Sequence, residues 1–84
     1  MLELSYMSIT EDVLENDRYK SQIEQLDNET LKTVFDNHYI ALEYARKAIE
    51  QVDPEKRNDV EYLEVVANGM QQLAKAILEE RSKN

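Results

Sequence analysis

The side chains able to do chemistry in this 84-residue chain are few and scattered. His38 is the single histidine and there is no cysteine, so zinc and iron–sulfur centres built on thiolates are excluded. As a metal ligand His38 would need carboxylate partners at helical spacing. The carboxylate-bridged di-iron bundles use two Glu-x-x-His pairs, and this sequence has none. Residues 36–39 also supply no basic neighbour of the kind that accompanies a solvent-facing phosphoryl acceptor. His38 is therefore expected as a partly buried core or interface residue.

Carboxylates offer the next candidates. Glu61 and Glu64 stand one turn apart, with Glu79 and Glu80 further on. All-α nucleotide pyrophosphatases hold magnesium with such Glu-x-x-Glu pairs, joined by a second acidic pair on a following helix. That second pair is missing here, and Glu61 shares a polar face with Asn68, Gln71 and Lys75, so a solvated face is expected. Ser5, Ser8, Ser21 and Ser82 have no histidine within helical reach, and there is no Gly-rich phosphate loop or nucleophile elbow. No catalysis, no metal and no cofactor is expected.

One basic concentration stands out. Arg46, Lys47, Lys56 and Arg57 lie around residues 53–54, where Tyr44 could stack on a bound group. They form a candidate site for a phosphate, carboxylate or nucleotide. The competing explanation is helix-end electrostatics, with Arg46 and Lys47 near a helix C-terminus and Glu43 pairing with Lys47 at i,i+4.

The elements that carry these residues are helices. One glycine and one proline leave few turns, which suits a few long helices rather than many strands. Leu31, Phe35, His38, Leu42, Ala45, Ile49 and Val52 follow at spacings of four and three, which predicts one continuous helix over residues 28–52 with these seven on its core face. Asp27 or Asn28 caps its start, and Asp53-Pro54 stops it. The same pair begins a third helix over 54–81, with Pro54 at its first position. Asn58-Asp59-Val60-Glu61 is a competing start. Leu63, Val66, Met70, Leu73 and Ile77 give this helix its stripe. A first, weaker helix is predicted over 8–26, opened by the capping box Ser8-Ile9-Thr10-Glu11 and weakest at Asn16-Asp17. Residues 1–7 alternate apolar and polar and are expected to form an arm, with Met1 or Met7 as the start. The fold class is thus all-α, a single helical domain made of a short helix and a long antiparallel helical hairpin.

Residues 41–54, Ala-Leu-Glu-Tyr-Ala-Arg-Lys-Ala-Ile through Asp-Pro, resemble the end of a tetratricopeptide repeat. The spacing from Ala41 to Pro54 is one residue longer than in that repeat, and the following helix lacks its Gly and Tyr. A single repeat cannot bury its faces alone, so the resemblance implies a helical hairpin and nothing further.

The hairpin carries more apolar surface than three helices need. Val34, Ala41 and Ala48 lie beside the main stripe, and Ile40 and Tyr44 point another way. Tyr62, Val65, Gly69 and Ala76 line a second side of the third helix. Gly69 in a helix interior costs about 1 kcal/mol relative to Ala, a cost understood most simply where another backbone comes close. Ile40, Tyr44, Tyr62, Val65, Gly69 and Ala76 are therefore expected at an oligomer or partner interface, with a homo-oligomer, most simply a dimer, forming the bundle.

Charge bounds the partner. The net charge is −8. Residues 1–30 hold eight acids against two bases, residues 31–58 balance, and residues 59–84 hold five acids against three bases. General nucleic-acid binding is disfavoured, since phosphate contacts need a basic face. No apolar run is long enough to span a membrane, and a cytoplasmic protein is expected. The functional expectation is a small acidic, non-catalytic protein that binds a protein partner: an inhibitor, antitoxin-like regulator or assembly chaperone of the kind phage and bacterial accessory genes encode. Tyr19, Tyr39, Tyr44 and Tyr62 are its candidate hot-spot aromatics. Sequestration of a small anionic ligand by Tyr44, Arg46, Lys47, Lys56 and Arg57 at a subunit interface is the alternative, and nucleic-acid mimicry a weaker one.

Overall fold

The computed structural model describes Val13 and residues 16–83. The expected arm over 1–7, its start and the capping box at residues 8–11 lie outside them. The fold is all-α: α1 (Asp17–Glu24), α2 (Asn28–Asp36), α3 (His38–Val52) and α4 (Val60–Ser82), with a short 3-10 turn over Pro54–Lys56. Val13 is also helical.

Side-chain caps decide where each helix begins. Asn16 sits in extended geometry and its Oδ1 accepts from the Arg18 amide at 2.8 Å, so the expected first helix is broken at its weakest point. Asp27 caps α2 through the Thr30 amide at 2.8 Å. Those hydrogen bonds hold the Asp27 carboxyl below the usual carboxylate range.

The continuous helix over 28–52 is corrected by a break at Asn37. Its φ of −125° and ψ of 107° are extended. The Asn37 amide still donates to the Thr33 carbonyl at 2.9 Å, closing α2. Its side-chain oxygen accepts from the amides of Tyr39 (3.0 Å) and Ile40 (3.3 Å), opening α3. Asparagine competes with the backbone for these amides, which is why it caps well and continues a helix poorly. The core face is centred on the Val34-Ala41-Ala48 side of the two helices, away from Phe35 and Leu42. Leu31 and Val34 are buried before the break, and Ala41, Ala45, Ala48, Ile49 and Val52 after it. Phe35, His38 and Leu42, expected on the central stripe, are only partly covered.

The third helix also starts later than the preferred Pro54. Residues 54–56 make the 3-10 turn, and α4 begins at Val60 with Asp59 as its cap, accepting from the Tyr62 amide at 3.1 Å. Asp53 makes no side-chain cap, because its carboxylate is engaged in the core.

At 1.5 Å per residue the 23 residues of α4 run about 35 Å, nearly the 40 Å length of the molecule. α4 packs against α1, α2 and α3. Its buried residues accordingly occupy more than one stripe: Tyr62, Val65, Val66, Ala67, Gly69, Met70, Leu73, Ala74 and Ile77. The facing side of α3 is rich in alanine, which lets the two axes approach closely. Large residues such as Ile23, Leu31, Ile49 and Met70 are buried to 1% exposure or less, each stabilising by about 1.5–3 kcal/mol.

The second apolar side of α4, expected to meet another copy, is covered by the chain itself. Tyr19 lies against Tyr62, Val65 is buried, and Val13 occupies the space beside Gly69. A Cβ on Gly69 would stand 2.5 Å from Val13 Cγ1, so the close approach that the glycine permits is made by a side chain of the same molecule. Val34, Ala41 and Ala48 are core residues as well. Of the six expected interface residues, Ile40 and Tyr44 are half-buried and Ala76 is exposed.

Candidate functional site

The most distinctive surface lies at the corner between α2 and α3. Phe35, the penultimate residue of α2, is 40% exposed, and Tyr39, in the first turn of α3, is 81% exposed. Both are large side chains outside the face that carries Leu31, Val34, Ala41, Ala45 and Ala48 into the core. A helix C-terminus leaves carbonyls without intrahelical partners. Here Gln71 of α4 donates its amide to the Phe35 carbonyl at 3.0 Å. The Gln71 Oε1 faces His38 Nδ1 at 3.0 Å, and Glu64 Oε2 faces His38 Nε2 at 2.9 Å. The corner is thereby fastened to α4 on both sides of Asn37. The hydrogen bonds with Gln71 and Glu64 raise the His38 pKa above its ordinary value, against the smaller opposing effect of burial.

Beside this corner, Glu29, Thr30 and Thr33 of α2 and Ile40, Glu43, Tyr44 and Lys47 of α3 line an open hollow of about 330 Å³. The Lys47 ammonium lies 5.5 Å from the centre of the Tyr44 ring. Among the described residues the side-chain ion pairs are Lys20–Glu24 and His38–Glu64, so Lys47 meets an aromatic face where a Glu43 pair was expected. Lys56 lies 4.5 Å from the Tyr62 ring, on a different aromatic partner. Arg46 and Arg57 are exposed. The five residues proposed for an anionic ligand are thus divided between two places, and Tyr44 stands next to two carboxylates.

A second polar cluster is internal. The hydroxyls of Tyr19 and Tyr62 both lie on Asp53 Oδ2, at 2.8 and 2.9 Å, and on each other at 2.8 Å. It joins α1 to both ends of the α3–α4 turn. Hydrogen bonding from Tyr19 leads the effects that hold the Asp53 carboxyl below its usual range. Burial, with the neighbouring Asp53 charge, pushes the Tyr62 phenol up to about 12 and raises the Tyr19 phenol further. Both phenols stay neutral donors across physiological pH. Tyr19 and Tyr62, expected as exposed hot-spot aromatics, are therefore core residues, and among the described residues Tyr39 is the exposed tyrosine.

The remaining candidates fall where their chemistry is quiet. Ser21 and Ser82 donate to carbonyls of their own helices, while Ser5 and Ser8 lie outside the described residues. Among the described residues, no group of three or more His, Asp or Glu side chains is placed to hold a metal, and no helix is long and apolar enough to cross a membrane. Phe35 and Gln71 are not site candidates from sequence, and Glu64 is one only as half of a Glu-x-x-Glu pair with Glu61. The available signal was that Glu64 and Gln71, seven apart, share one face of α4. Comparison with known proteins supplies no relative: no family model, no curated protein and no solved structure matches this chain.

Proposed function

We propose that this chain is a small acidic, non-catalytic binding protein that acts by occupying a protein partner, with the α2–α3 corner as its recognition surface. The observation that carries the reading is the pair of outward aromatics, Phe35 and Tyr39, held on either side of a break that caps and cross-helix hydrogen bonds keep in one geometry. Tyrosine offers a large contact area at small cost in side-chain entropy and is enriched among binding hot spots. Preorganised backbone reduces the ordering cost of association. The net charge of −8 favours encounter with a basic partner surface.

Site-specific photocrosslinking tests the proposal. A photoreactive phenylalanine analogue placed at position 39, in cells that make the protein, is expected to give one discrete adduct. The same analogue at exposed Glu79, near the end of α4, is the control and should give none. With the captured partner in hand, Tyr39→Ala should weaken binding by at least about 30-fold, the roughly 2 kcal/mol of a hot spot, without changing the melting temperature. Equal adducts at both positions, or unchanged affinity in Tyr39→Ala, would remove the corner from the binding surface.

A further inference from the structure

We propose that His38 is a proton-operated latch: with both ring nitrogens protonated it ties the α2–α3 corner to α4, and loss of one proton releases that tie. The geometry permits little else. Glu64 Oε2 can only accept from Nε2, at 2.9 Å. Gln71 must present its oxygen to Nδ1, because its amide nitrogen already donates to the Phe35 carbonyl at 3.0 Å. Turning the Gln71 amide over would set oxygen against the Phe35 carbonyl and lose that bond. The ring therefore stands between two acceptors. An imidazolium supplies both protons. A neutral imidazole supplies one and leaves a lone pair facing an oxygen, whichever tautomer it takes.

The surroundings leave Glu64 as the charged partner. It is the one ionisable group, among the described residues, whose field acts on the ring. On α2, Lys32 and Asp36 are exposed, as is Lys75 one turn beyond Gln71 on α4, and none of these bonds to the ring. The residues one turn along α3, Ala41 and Leu42, carry no charge. A group whose pKa is raised in the folded state stabilises fully below its unfolded value, near 6.5, and this contribution is lost as the pH climbs through the folded value. The latch is thus closed below about pH 6.5 and opens as the pH climbs through the folded value. The side chains of His38 and Glu64 are 40% and 46% exposed, so solvent moderates the effect and the release is confined to the corner.

The chain has one histidine, so its ring protons give a single, unambiguous NMR titration. The expected midpoint lies above 6.5, with the amides of Asn37 and Tyr39 and the side-chain amide of Gln71 titrating at the same midpoint. Hydrogen exchange at the corner, corrected for intrinsic rates, should rise across that midpoint. Linkage sets the size: the opening equilibrium grows about tenfold for each pH unit by which the midpoint exceeds 6.5. Glu64→Gln should lower the midpoint, and His38→Gln should remove the pH dependence of the corner. A midpoint at or below 6.5, or corner exchange that is flat across the midpoint, overturns the latch. The titration of the unaltered protein decides this even where a variant fails to fold, and it needs no binding partner.

Discussion

Replacing Tyr19 with Phe removes a single oxygen from a residue that is 1% exposed. The ring remains, so apolar burial is unchanged. What is lost is the hydrogen bond donated to ionised Asp53 at 2.8 Å and the 2.8 Å contact with the Tyr62 hydroxyl. Hydrogen bonds to charged groups contribute about 1.5–3 kcal/mol. Tyr62 still donates to the same oxygen at 2.9 Å, and Asp53 is only partly buried, so the loss should fall toward the lower end, about 2 kcal/mol. For a domain of this size that is a fall in Tm of about 8–16 °C. The acid limb gives a second check. The Asp53 carboxyl is held low chiefly by Tyr19, so its contribution is present above the ordinary carboxylate value near 3.9 and fades as the pH drops through the folded value. Thermal melts by circular dichroism from pH 3 to 8 should show the full penalty at pH 7 and a shrinking one below about pH 4. A Tm within about 2 °C of the unaltered protein at pH 7, or a penalty undiminished at pH 3, would refute the reasoning. Combining Tyr19→Phe with Tyr62→Phe should be non-additive, since both act on one oxygen.

Three further substitutions test other joints of the fold. Asn37→Ala should destabilise by about 1 kcal/mol through loss of the α3 cap, read as a Tm lower by about 4–8 °C; a continuous helix over 28–52 requires a rise instead, because Ala is the better helix former. Gly69→Ala should lower stability despite its helical advantage, because the new methyl meets Val13, and Val13→Ala in the same chain should recover most of the loss; a gain in urea midpoint for the single variant would contradict the packing. Arg81→Lys should behave like Arg81→Ala, each costing about 1–2 kcal/mol in urea titrations, because a lysine cannot reproduce the guanidinium fork; full stability in the lysine variant counts against that clamp.

The helix starts at Asp27 and Asp59 and the weak point at Asn16 are legible in the sequence, because a cap is a local event between a side chain and amides two or three residues away. The break at Asn37 is not. The four-and-three spacing from Leu31 to Val52 runs through it unbroken, and a second series at the same spacing, through Val34, Ala41 and Ala48, is the one the fold buries. Periodicity reports that residues share a face and is silent on which face is buried. Gly69 shows a related gap. The cost of a helical glycine points to a close neighbour, but only the fold tells that the neighbour is Val13. Tyr19 and Tyr62 look like surface aromatics because each carries a hydroxyl, and only the convergence of Asp53 on both explains their burial. The fastening of His38 depends on residues 26 and 33 positions away, a distance at which spacing carries no information until α4 is packed against α3.

The guanidinium of Arg81, in the last turn of α4, donates to the carbonyls of Leu26 and Glu24 and to the side chain of Asn28, more than fifty residues earlier. Chains emerge from the ribosome N-terminal end first. The end of α1 thus waits for its final partners until residue 81 has left the exit tunnel, and Tyr19 waits for Tyr62 in the same way. α1 is therefore among the last elements to be secured. During synthesis it is a stretch in search of a cover, and its native place is settled only when the whole of α4 has emerged.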